Sequence, residues 1–369
     1  MIMTRRKYLH KVLQATQAMM AWNLLAGCSL PRIPEVAADN GSLHYRPLNG
    51  RSLEVLARSK VHHGVDRFHN PFSTVERRNF LRVLRWKFFS PNEHSRHYRD
   101  EPVRQVSIDW PSIRQGRNFS VTLIRHAGIL IKDLDRYLLV DPVFGKIFWF
   151  IEDFSPLTGD LDGMPPIDHL LITHGHYDHI DIDSLSRLDR NTNVLLPLGY
   201  EDIFDGLGMR NRRHLDWFDR YHGDGREIVF LPCNHWTMRN PWVGPNTGLW
   251  GSFLIRTKSG ANIYISGDTA YFDGFAEIGR LCDIDLAIFN LGAYEPRWFM
   301  AGSHMNPEET YRAFREIGAR HMLLAHWGTF RLGNEPVHFP PRDMAEVMAA
   351  NGAAEQLLPL GHGETLVYG

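Results

Sequence analysis

Cysteine is scarce in this chain: 369 residues contain three, Cys28, Cys233 and Cys282. A disulfide framework is therefore not what holds it together. Net charge is nearly absent too, with 41 lysines and arginines against 42 aspartates and glutamates. No chain-wide basic field is available to hold a polyanion, and no nucleic-acid partner is expected. Nor is there a run of about 20 apolar residues, the length a helix needs to cross a bilayer. The nearest, residues 12–27, is shorter and only moderately apolar. Repeats, low-complexity tracts and coiled-coil heptads are missing as well. What is there includes 43% hydrophobic residues, ample for the packed core of one large α/β domain.

The most informative stretch reads Thr173-His174-Gly175-His176-Tyr177-Asp178-His179. Imidazole nitrogens and carboxylate oxygens packed this densely are the donors that a borderline cation such as Zn²⁺ prefers, though iron or manganese would accept them. Residues 167–172, just before, read as a short apolar strand. Residues 181–188, just after, begin with Asp181 and have helical spacing of their apolar positions. The cluster thus sits on a strand-to-helix loop, where a rigid scaffold presents groups to solvent. One loop cannot close a coordination sphere, so further ligands are expected downstream. Residues 228–232 lead into Cys233-Asn234-His235-Trp236, residues 261–266 into Gly267-Asp268-Thr269, and residues 321–325 into His326-Trp327-Gly328. Each is a β-rich run that ends in a potential ligand. Most of the 20 histidines, His62, His63, His94 and His97 among them, fall outside this pattern and read as surface or packing residues.

In this ordered pattern the chain, from about residue 121 onward, resembles the metallo-β-lactamase superfamily of dinuclear metallohydrolases. The resemblance implies an α/β fold, an αββα sandwich of two mixed sheets with helices outside, here with an N-terminal extension. It implies two Zn²⁺ ions: His174, His176 and His235 would hold one, Asp178, His179 and His326 the second, and Asp268 would bridge both. Strand-like runs at residues 121–125, 128–131, 137–140 and 286–289 fit that architecture. So does a helix over Pro307–Ile317, opened by Asn306 as cap, Pro307 in the first turn and Glu309 three residues after the cap. Within the superfamily, four segments look like the N-acylphosphatidylethanolamine-hydrolysing phospholipase D family. They are Val121-Thr122-Leu123-Ile124-Arg125-His126-Ala127-Gly128, Leu139-Val140-Asp141-Pro142-Val143-Phe144, Ser303-His304-Met305-Asn306-Pro307-Glu308-Glu309 and His326-Trp327-Gly328-Thr329-Phe330. This closer resemblance implies a zinc phosphodiesterase that releases an N-acylethanolamine and leaves phosphatidic acid, with His304 and Tyr177 lining the substrate site. Two cations suit that reaction, because they lower the pKa of water to about 7 and neutralise the phosphoryl oxygens. Asp178 or Asp268 would orient the attacking oxygen. His304 or a metal-bound water would protonate the leaving alkoxide, with His304 otherwise contacting the phosphate, and Asp141 and Thr269 are candidates for fixing the imidazoles from behind.

The front of the chain concerns location. Thr4-Arg5-Arg6-Lys7-Tyr8-Leu9-His10-Lys11 resembles a twin-arginine export signal, and Leu25-Ala26-Gly27-Cys28 looks like the lipobox of a bacterial lipoprotein. Residues 1–28 are expected to be a signal ending at a lipidated Cys28, residues 29–117 a tether and N-terminal extension, and residues 118–369 the hydrolase domain. The implied location is the bacterial cell envelope, lipid-anchored on the outer membrane and facing the periplasm. The expected partners are a phospholipid substrate and the membrane surface, with a homodimer left open. Residues 51–117 carry 14 lysines and arginines against 7 acids. Within them, Leu84-Arg85-Trp86-Lys87-Phe88-Phe89 has a composition suited to a membrane interface. Residues 31–47, rich in proline and polar groups, read as the tether. Cys233 and Cys282 either pair in an oxidising envelope or stay as buried thiols. Two rival classes remain: a hydrolase of a lactone, cyclic nucleotide or sugar phosphate using the same metals, and a non-catalytic metal-binding envelope lipoprotein.

Overall fold

The computed structural model describes residues 45–73, 92–116 and 119–368. The signal-like segment with Cys28 and the cationic-aromatic run at residues 84–89 lie outside the described residues. In chain order the strands are β1 (Phe119–Arg125), β2 (Gly128–Asp133), β3 (Arg136–Val140), β4 (His169–Leu171), β5 (Asn193–Pro197), β6 (Arg212–Leu215), β7 (Arg220–Gly223), β8 (Arg226–Leu231), β9 (Ser252–Arg256), β10 (Asn262–Ile265), β11 (Leu286–Asn290), β12 (His321–Ala325) and β13 (Thr365–Val367). They form two sheets, ordered β13-β1-β2-β3-β4-β5-β6 and β12-β11-β10-β9-β8-β7. Both are mixed. The first is antiparallel from β13 to β3 and parallel from β3 to β6. The second is parallel from β12 to β10 and antiparallel from there to β7.

Side-chain alternation along the strands explains the layering. Ile129, Ile131, Leu138 and Val140 enter the core between the sheets, where they meet Phe230, Phe253 and Tyr264 of the second sheet. Leu130 and Leu139, on the opposite face, join Leu170, Leu185 and Phe204 in a second, outer core. A sheet covered on both faces has to be apolar on both, which is why these strands read as nearly unbroken apolar runs. The result is the two-sheet α/β sandwich expected from the sequence.

Several differences concern detail. β4 keeps only His169–Leu171 of the apolar run at residues 167–172. The short β6 and β7 were not singled out, because RRHL and RYHG carry more polar than apolar side chains. The N-terminal extension is not a loose appendage. Leu48, Leu53, Ala57 and Phe72 are buried in the inter-sheet core, and Trp110 and Ile113 in the outer one. Tyr45, inside the stretch read as tether, packs its ring 5.1 Å from that of Tyr271. The extension is pinned by Asp216, whose carboxylate accepts from Lys60 Nζ at 2.5 Å and lies 2.7 Å and 2.8 Å from Nε2 of His62 and His63.

The Pro307–Ile317 helix forms with the bounds expected. Asn306 Oδ1 accepts from the Glu309 N–H and Glu309 Oε2 from the Asn306 N–H, closing a reciprocal capping box. Asn306→Ala should therefore lower unfolding free energy by about 1 kcal/mol in urea titration; an unchanged midpoint would show that the cap contributes nothing.

Candidate metal centre

The histidine-rich heptad follows β4, His235 follows β8, Asp268 follows β10 and His326 follows β12. Strands from both sheets therefore deliver donors to one end of the sandwich. Two sets of donor atoms converge there, His174, His176, His235 and Asp268 in one and His126, Asp178, His179 and His326 in the other. In the first set, His176 Nδ1 lies 2.9 Å from His174 Nε2 and 3.3 Å from His235 Nε2. In the second, His326 Nε2 lies 3.3 Å from Asp178 Oδ2. Asp268 Oδ2 stands between them, 3.3 Å from Nε2 of both His179 and His326, 3.8 Å from that of His174 and 3.9 Å from that of His235. All seven expected ligand residues are thus brought together.

The donors suit cations. Imidazole nitrogens facing one another at such distances cannot all donate, and His179 Nε2, buried and aimed at two carboxylates, has no hydrogen-bond partner. Burial, reinforced by the neighbouring imidazoles, holds His174 and His235 well below the ordinary histidine pKa, in the neutral form a metal requires. Burial alone would raise the carboxyls of Asp178 and Asp268, yet the surrounding imidazoles outweigh it and keep both well below the usual carboxylate range. His179 is opposed by burial too, but Asp268, Asp178 and Asp141 hold it well above the ordinary value.

An outer layer of hydrogen bonds orients these groups. Asp141 lies 2.8 Å from His179 Nδ1 and accepts from the Thr173 N–H at 2.9 Å and the Thr173 hydroxyl at 2.5 Å. His235 Nδ1 lies 3.0 Å from the Ser303 carbonyl. Asn290 Nδ2 donates to Asp268 Oδ1 at 2.9 Å, leaving Oδ2 for the ions. Thr269, a candidate for the same task, has a structural part instead: its hydroxyl accepts from the Asn234 N–H at 3.0 Å, holding the loop before His235 and no imidazole. Cys233 points its thiol at the Asp268 carbonyl, 3.4 Å away, and both Cys233 and Cys282 are free.

His304 reaches the site, with a ring nitrogen close to Asp268 and His326. Burial pushes its pKa down to about 3, and its Nδ1 has no partner. Tyr177 donates its hydroxyl to the Arg239 carbonyl at 2.5 Å, and the Arg239 guanidinium lies 4.3 Å from its ring centre. Its polar end is thus committed to the protein; its ring meets Phe148 at 5.1 Å.

Four contributors went unread in the sequence. His126 sits in the stretch 121–128, where the sequence pattern places no metal ligand. Arg239 Nη1 donates to the carbonyls of Gly175, His176 and Ile180, bracing the metal loop from across the chain. Asn70 donates to the His235 carbonyl at 2.7 Å, so the extension helps to place a candidate ligand. Asn290 is the fourth. Apart from the positions of His126 and Asn290 at strand ends, nothing local in the sequence signals them.

A family profile described as a β-lactamase superfamily domain matches residues 136–327. The chain belongs to that superfamily. The N-acyl-phosphatidylethanolamine-hydrolyzing phospholipase D 1 of Caenorhabditis elegans is 30% identical to this superfamily member over 270 residues, 68% of this chain and 74% of that protein. A UPF0173 metal-dependent hydrolase of Ligilactobacillus salivarius is 28% identical over 240 residues, 62% of this chain and 94% of that protein. Among solved structures, a possible metal-dependent hydrolase from Veillonella parvula superposes with a TM-score of 0.57 at 18% identity, covering 68% of this chain and 99% of that one, a likeness of fold. The protein is a metal-dependent hydrolase of metallo-β-lactamase fold.

Asp141→Asn, which puts an amide where an acceptor for Thr173 and His179 stood, should weaken metal binding about 10–100-fold. Competition against a chelator measures this, and unaltered affinity would remove Asp141 from the account.

Proposed function

We propose that this hydrolase uses two Zn²⁺ ions to cleave the headgroup phosphodiester of N-acylated phosphatidylethanolamine-like lipids, releasing an N-acylethanolamine and leaving phosphatidic acid. Similarity to a phospholipase D of that specificity supports the reaction. The observation that carries the lipid reading is an exposed aromatic shelf attached to the metal loop. Trp149 and Phe150 are 81% and 65% exposed. Phe150 stacks on Phe148 at 5.3 Å, and Phe148 meets Tyr177 of the metal loop. Trp242, 57% exposed, follows three residues after Arg239. Water-facing aromatics beside an active site fit a bilayer interface better than a small soluble substrate.

When bound, the ions would activate water and neutralise the phosphoryl oxygens. The chain's own groups do the rest. Asp268, fixed through Oδ1 by Asn290, and Asp178 stay ionised and orient the attacking oxygen. His304, uncharged at neutral pH because of its burial, can donate one N–H to a phosphoryl oxygen; the single negative charge of the incoming phosphodiester would raise its pKa towards proton donation. Tyr177 holds the aromatic shelf to the metal loop. Cys28 would anchor the chain in the bacterial envelope, at the outer membrane, within reach of a phospholipid substrate. No helix among the described residues is long and apolar enough to cross a membrane.

The protein should release N-acylethanolamine from vesicles containing N-acylphosphatidylethanolamine, and Asp268→Asn should lower the rate about 10²-fold or more. Turnover of a lactone, cyclic nucleotide or sugar phosphate with none of the lipid would overturn the substrate, and full activity in Asp268→Asn would overturn the metal chemistry. In cells, Cys28→Ala should move the protein from the membrane fraction to the soluble one; no change in fractionation would refute the anchor.

A further inference from the structure

His126 stands where β1 turns into β2. The two strands resume pairing at Arg125 and Gly128 after a register shift between Leu123 and Arg125, and His126 takes a φ of 49°, in the left-handed region that few non-glycine residues adopt, histidine more often than most. Such backbone conformations persist only where surrounding contacts hold them. Here the His126 N–H donates to Thr329 Oγ1 at 3.0 Å, and its carbonyl accepts from the His326 N–H at 2.8 Å. The side chain is fully buried, its ring 4.2 Å from that of His326 and 5.0 Å from that of Phe330. Its Nε2 lies 3.0 Å from Asp178 Oδ2.

We propose that His126 is a positioning residue for the second ion: it donates a hydrogen bond from Nε2 to Asp178 while its main chain sets His326. A carboxylate oxygen only accepts, so the nitrogen facing it carries the proton. That leaves Nδ1, which is buried without a partner, as the unprotonated atom. With Nε2–H on Asp178, the ring has no lone pair left to offer on that side, so it serves as an outer partner of the ligand and not as a ligand itself. The division of labour in the cluster agrees. His179 and His326 each approach both Asp178 and Asp268, at 3.3–3.8 Å, whereas among the described residues His126 pairs with Asp178 alone. The same residue therefore aims two candidate ligands of one ion, one through its side chain and one through its carbonyl. It leaves the His174, His176 and His235 set untouched. His126 also precedes the span matched by the family profile, which begins at residue 136.

This inference rests on the two-ion reading of the centre but not on the lipid substrate, and its test reads ions instead of turnover. The full chain loaded with zinc is titrated with a chelator for the wild type, for His126→Phe, which keeps a ring against His326 but removes the N–H, and for His126→Gln, which keeps an N–H. Zinc per chain is followed by elemental analysis, and thermal midpoints of the zinc-free proteins report the fold. His126→Phe is expected to lose one ion about 10–100-fold more readily and to keep the other at wild-type affinity, with His126→Gln close to wild type. Retention of both ions by His126→Phe overturns the proposal, as does weakening of both ions alike. Equal loss of one ion in the two variants would make the imidazole a direct ligand and overturn it as well. Should His126→Phe not fold, His126→Gln decides: both ions held supports the role, one ion lost refutes it. Binding of only one ion by the wild type would instead refute the two-ion reading itself.

Discussion

A single buried carboxylate oxygen, Oδ2 of Asp268, is the point about which the functional end of this protein is arranged. It is withdrawn from water and approached by four imidazoles at 3.3–3.9 Å. A carboxylate in such a place is costly unless it is compensated. The compensation comes from Asn290 on its other oxygen and from the His179 imidazole, whose pKa, against the effect of burial, the surrounding carboxylates hold well above the ordinary value. The proposed chemistry follows from the same constraint, since an oxygen shared by two donor sets would let two cations, if both are bound, act on one substrate group.

Holding that arrangement takes most of the scaffold. The donors come from strand ends in both sheets, so their spacing depends on how the sheets pack through the core between them. Side-chain ties then remove the remaining freedom: Asp141 behind His179, the Ser303 carbonyl behind His235, Arg239 across the back of the heptad, Asn70 beneath His235. Asn70 shows why the N-terminal extension matters to function. Its segment is sewn onto the domain through the Asp216 clamp and the burial of Leu53 and Phe72, and that fixes where its amide meets the His235 carbonyl.

The sequence made the fold and the ligands legible for one reason: their signals are local. Strand runs ending in His, Asp or His-x-His are short-range patterns, and the Asn306–Glu309 capping box spans a single turn. Arg239 and Asn70 were illegible because their partners lie 59–165 residues away, and an arginine or asparagine in a loop looks the same whichever carbonyl it meets. His126 was visible as a residue but not as a function. Its role depends on a left-handed turn and a register shift that no period of apolar positions announces. The aromatic surface was sought at residues 84–89, outside the described residues; the shelf that the structure shows lies at residues 148–150, within an irregular loop whose apolar side chains resemble a fragment of core until their exposure is seen.

Burial on both sheets, the two histidine sets and the exposed aromatics describe a candidate ion-binding end bordered by water-facing aromatic side chains. Anomalous diffraction at the zinc absorption edge, from crystals of the full chain, tests the centre most directly. Two peaks about 3.5–4 Å apart, flanking Asp268 Oδ2, are the result this account requires. A single peak, or a second one displaced to the His62, His63 and Asp216 cluster, would contradict it.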